Sequence, residues 1–158
     1  MKDSTVKGLS FGLTSGIITT LGMMVGLNAG TGSTIVVLGG ILTIAIADAF
    51  SDALGIHISE EAENQHTQKD IWRATIATFL SKLIFALTFV APVLLFELSR
   101  AVTVSIIWGI LVLTLISYLM AKDQKVNPAK VIFEHLLIAV AVIFITKLLG
   151  DFIAIYFK

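Results

Sequence analysis

Cysteine is absent from this chain, which excludes disulfides, thiolate metal sites and cysteine nucleophiles. Any metal ligand must be oxygen, imidazole or thioether. Charge is scarce: only 14% of the residues are Asp, Glu, Lys or Arg, against roughly 25% in a soluble domain. Basic and acidic side chains number eleven each, so no net field favours nucleic acid, and none is expected as a partner. No phosphate loop, H-E-x-x-H or G-x-S-x-G motif occurs, and no nucleophile stands beside an evident base. An enzyme is therefore not expected.

Apolar residues are abundant, at 56% of the chain, and the mean hydropathy is +0.95. A membrane-spanning helix needs about 20 apolar residues. Five segments meet that requirement: Gly8 to Asn28, Thr34 to Ile58, Ile71 to Phe96, Ala101 to Ala121 and Val131 to Phe157. The breaks between them are glycine-rich (Asn28 to Ser33), polar (Ser59 to Asp70), brief (Glu97 to Arg100) or turn-forming around Asn127-Pro128. This pattern predicts an all-α integral membrane protein, with residues 1–158 forming one five-span domain in contact with the lipid bilayer. Lys2 and Lys7 before an apolar run imitate a secretory signal. That run is long and glycine-rich with no small-residue cleavage site, so it reads as a retained first span. Lys2, Lys7, Lys69, Arg73, Lys122, Lys125 and Lys130 fall on one side, and Arg100 and Lys158 on the other. Because cytoplasmic loops are enriched in Lys and Arg, the N-terminus is expected inside and the C-terminus outside.

The first span carries Gly8, Gly12, Gly16, Gly22, Gly26 and Gly30, which fall within about a third of the helix circumference. Such a bare flank allows close helix approach. It suits packing within the subunit, a permeation pathway or, as the assembly expectation, a homodimer interface.

The second span holds Asp48 and Asp52 in an otherwise apolar helix, about 3 Å and 9 Å past its midpoint near Ile46. Insertion of one central Asp costs about 2.5 to 3.5 kcal/mol. The i, i+4 spacing places both on one face, and continuing the helix brings Ser59, Glu63 and His66 into the same sector. Hard divalent cations bind carboxylate and imidazole in this way, with protons competing for the same groups. The alternative is a structural ion pair with Lys82 of the third span. Glu60, Glu61, Glu63 and His66 form an acidic cluster at the expected cytoplasmic mouth, either a cation entrance or a solvated helix end. His57 and Glu61 are also i, i+4 but point away from Asp48. Ser15, Thr19 and Met23 share a face of the first span and are candidates to complete a metal site. Pro92 is expected to kink the third span, and Lys147 is expected to pair with Asp151.

With these residues in view, the chain resembles the vacuolar iron transporter family. The resemblance rests on Ser15-Gly16-Ile17-Ile18-Thr19-Thr20 followed by Val25-Gly26, and on Ala47-Asp48-Ala49-Phe50-Ser51 with Gly55 and Ser59. It implies five spans, a homodimer with an ion path lined by the first two spans, and Fe²⁺ or Mn²⁺ as transported substrate exchanged for protons. No permanently bound cofactor is implied. The chain departs from the family pattern at Ser15, where an Asp is usual, at Asp52, where Met is frequent, and at Ile56-His57. Only about a dozen polar residues separate the second and third spans, where many members insert an acidic metal-binding domain. The combined expectation is a divalent metal transporter of the cell membrane, with metal at Asp48, Asp52, Ser15, Thr19 and Met23 and an entrance at Glu60, Glu61, Glu63 and His66. The alternatives are a proton-coupled carrier of another small solute and a non-transporting membrane scaffold.

Overall fold

The computed structural model describes residues 2–157, so Lys158, expected on the external side, lies outside the described residues. The chain forms α1 (Lys2–Thr31), α2 (Thr34–Glu63), α3 (Gln68–Thr88), α4 (Val90–Leu95), α5 (Leu98–Asp123) and α6 (Pro128–Tyr156). With α3 and α4 counted as one span, five helical segments are long and apolar enough to cross a membrane.

The helices overrun the apolar segments for local reasons. Gly30 does not end α1, because helical glycine is tolerated where backbones pack closely. The helix stops only at Gly32, whose φ of 59° is left-handed and whose N–H bonds the Asn28 carbonyl at 2.9 Å. Likewise α2 runs through its glutamates to Asn64, left-handed at φ 50°. Thr67 then caps α3 by accepting from the Asp70 N–H, and Asn127 caps α6 ahead of Pro128. Pro92 has no N–H for the Thr88 carbonyl, and the third span breaks at Phe89, between α3 and α4.

The central helix is α1, which touches α2, α3, α5 and α6. Ile17, Leu21 and Met24 of α1 meet Val37 and Ile41 of α2, Phe89, Leu113 of α5 and Ala139 of α6 in the core. By contrast α6 buries only Ala139 and Gly150, and leaves Phe133, Leu137, Phe144 and Leu148 facing outward, as a lipid-facing helix does.

Lipid removes most of the hydrophobic drive between helices, so close backbone approach matters. The glycine face of α1 supplies it twice. A Cβ on Gly8 would overlap the Ala74 carbonyl, one on Gly12 would overlap Ser81 and Thr78, and one on Gly16 would press on Lys82 at 3.2 Å, all on α3. Farther along, Gly22, Gly26 and Gly30 face Val142, Thr146 and Gly150 of α6. This corrects the expectation of a homodimer interface on that face: it is filled within the subunit, by α3 over one half and α6 over the other.

Candidate cation site

Lys82 is the centre of the arrangement. Beside Gly16 the bare backbone of α1 leaves room for the lysine stem, whose Cγ would lie 3.3 Å from a Cβ there. The side chain is 1% exposed, and its Nζ lies 2.5 Å from Oδ2 of Asp48 and is paired with Oδ2 of Asp52. Nζ also donates to the Ser15 hydroxyl at 2.8 Å, which itself donates to Asp52 Oδ2 at 2.6 Å. Ser15, Asp52 and Lys82 therefore close a ring, with Asp48 as a fourth member paired with the same ammonium. Two carboxylates and one ammonium leave a formal charge of −1 in a mostly apolar span. Oδ2 of Asp48 is buried yet makes no aligned hydrogen bond, so its grip on Lys82 is electrostatic rather than directional.

Asp48 has a second surface. With Thr19, Met23, Gly40, Thr43 and Ser51 it lines a cavity of about 740 Å³ between α1 and α2. Gly40 forms a floor under Met23, whose Sδ would clash at 2.5 Å with any Cβ there. The cavity is open-sided, since Thr43, Ala47 and Ser51 are exposed. Carboxylate, hydroxyl and thioether groups thus line one mostly apolar space, and these are group types that hard or borderline divalent cations accept.

The expected wall of Ser15, Thr19 and Met23 is divided. Thr19 and Met23 line the cavity, although the Thr19 hydroxyl donates to the Ser15 carbonyl at 2.8 Å, and Ser15 joins the ion network instead. Asp52 lies behind Asp48, away from the cavity lining. Thr43 and Ser51 were not anticipated. They form an i, i+4, i+8 stripe with Ala47 and were legible from that spacing.

A second cluster sits where α1 begins and α2 ends. Glu60 is fully buried; Lys7 Nζ lies 2.5 Å from its Oε1 and 2.8 Å from Glu63 Oε1, and His66 Nδ1 lies 3.0 Å from Glu60 Oε2. Ligand-capable atoms of Glu60, Glu63 and His66 fall within 4.8 Å of one another. Neither oxygen of Glu60 makes an aligned hydrogen bond, so these contacts too are electrostatic. His66 arrives through the turn at Asn64 rather than by continuation of α2, which corrects the expected helical stripe. Glu61 is not part of the cluster. It lies 3.6 Å from Nε2 of His57, whose Nδ1 contacts Thr75 Oγ1 at 2.9 Å and whose ring meets Trp72 edge-on. The Lys147–Asp151 pair forms as expected, at 2.6 Å.

The chain is thus a polytopic helical bundle with an open-sided cavity between α1 and α2, into which Asp48 brings the one carboxylate. The VIT family model matches residues 6–74, which take in α1 from Val6, all of α2 and the start of α3. Over that segment the chain is similar to the VIT family, and its five long apolar helices make it an integral membrane protein. Comparison with curated proteins and with solved structures gives no match. The matched segment contains Ser15, Asp48, Asp52, Glu60, Glu63 and His66 but stops short of Lys82.

Proposed function

We propose that the protein carries Fe²⁺ or Mn²⁺ out of the cytosol across the cell membrane in exchange for protons, as the family resemblance implies. One observation carries the reading: Asp48 presents a carboxylate, deep in a membrane span, to a cavity that also holds Thr19, Met23, Thr43 and Ser51. Lys82 offsets only one of the two carboxylates, and the remaining negative charge is costly in a span without a further cation. The Glu60, Glu63 and His66 cluster lies about 12 Å along α2 from Asp52 and serves as the cytosolic approach. The N-terminus is inside in this reading, supported by the gathering of Lys7, Lys69, Lys122 and Lys125 at one end of the bundle. A second copy docked across the open side of the α1/α2 cavity would close it, giving the homodimer that the resemblance implies.

The decisive measurement is Mn²⁺ and Fe²⁺ flux into reconstituted vesicles. Asp48→Asn keeps the side-chain shape and removes the charge, so flux should fall at least about tenfold while the protein stays folded. Undiminished flux in a folded Asp48→Asn protein overturns the proposal.

A second reading is favoured by the Lys82 contacts. Asp48 and Asp52 then serve only to neutralise Lys82, and the protein is a non-transporting scaffold. That reading requires no metal binding by the wild-type protein and full stability in a variant with Lys82, Asp48 and Asp52 all replaced by neutral residues.

A further inference from the structure

The two aspartates, four residues apart on one helix, hold the same ammonium but are not equivalent. Asp48 touches both Lys82 and the cavity, whereas Asp52 touches Lys82 and Ser15 and does not line the cavity. Resting on the divalent-cation reading above, we infer that Lys82 is a tethered competitor for Asp48 and that Asp52 with Ser15 is the berth to which it withdraws when a metal ion arrives.

The distances support the hand-over. Lys82 is 1% exposed and locked by the Ser15–Asp52 ring, so release of Asp48 leaves the ammonium with a carboxylate and a hydroxyl. Its hold on Asp48, by contrast, lacks hydrogen-bond alignment. Lysine suits the task as a compact charge on a flexible four-carbon stem.

The competitor also sets selectivity. At equal distance a divalent ion attracts a carboxylate twice as strongly as the ammonium does. A monovalent ion attracts it no more strongly and must contend with a tethered rival already in contact at 2.5 Å. Na⁺ and K⁺ are therefore refused at Asp48, and a divalent ion is admitted with moderated affinity, which favours its later release. Lys82 and Asp52 are in this account positioning residues, and Asp48 is the ligand.

The test is a Mn²⁺ titration of the full-length protein in detergent, followed by electron paramagnetic resonance of free Mn²⁺, with and without about 100 mM Na⁺. Lys82→Met should bind Mn²⁺ about tenfold tighter than wild type, and Na⁺ should now compete. The Lys82→Met, Asp52→Asn double variant keeps the wild-type formal charge of the cluster and guards against misfolding of the single variant. It should match Lys82→Met within about twofold, because a berth has no role once its occupant is gone. Wild-type affinity and unchanged Na⁺ insensitivity in both variants overturn the inference while leaving the transport reading in place. A double variant about tenfold or more weaker than Lys82→Met makes Asp52 a direct ligand and overturns the berth. Failure of all three proteins to bind Mn²⁺ overturns both readings.

Discussion

The protein builds the same trio twice, one lysine between two carboxylates, in two different surroundings. Around Lys82 the ammonium is 1% exposed and the carboxylates come from the middle of a span; around Lys7 the ammonium is 41% exposed and the carboxylates end a helix. Burial of the lysine, not composition, separates the two clusters. In the deep cluster each charge depends on the others for its solvation, so the network specifies geometry and resists salt. In the outer one water and counter-ions reach Lys7 and Glu63, while Glu60 stays buried and relies on Lys7 and His66.

That contrast can be broken by experiment, beginning with the largest effect. Lys82→Met strands two carboxylates without compensation, and thermal unfolding of the metal-free protein should show a loss of about 3–5 kcal/mol. Added Mn²⁺ should restore more stability to this variant than to wild type. Gly16→Leu should come next, because any Cβ there already presses on the Lys82 backbone at 3.2 Å. Pushing α3 from α1 should cost about 1–3 kcal/mol and reduce metal flux by withdrawing Lys82 from its partners. Lys7→Met should cost about 1–2 kcal/mol, since Glu60 is buried but keeps His66 beside it. Raising ionic strength should shrink the Lys7 effect and leave the Lys82 effect nearly unchanged. Equal losses for the two lysines, with equal salt dependence, would remove the distinction.

Much of the fold was legible because hydropathy marks spans directly, and because Pro92, the glycine-rich Asn28–Ser33 stretch and the polar Ser59–Asp70 stretch mark breaks. The overrun of α2 to Glu63 was less evident: polar residues leave the apolar segment without leaving the helix. The glycine face was visible, but its neighbours were not, because spacing along one helix does not say that two different helices share it. The aspartates stood out through their cost in lipid. Their inequality did not, since it depends on where Lys82, some thirty residues later, enters between α1 and α2. Glu61 was grouped with its neighbours by sequence proximity, whereas the helix turns it toward His57.

The break at Phe89 makes the angle of α3 a sensitive quantity for the ion network. Lys82 lies seven residues before it, about 10 Å along α3, while Trp108 of α5 donates to Thr88 Oγ1 at 3.1 Å and pins the pivot. A tilt of α3 by about 10° about that point carries the lysine backbone nearly 2 Å, which exceeds the tolerance of a hydrogen bond. The register of the ammonium therefore depends on the angle that α3 takes at Phe89, which α4 and its packing against α5 help to set.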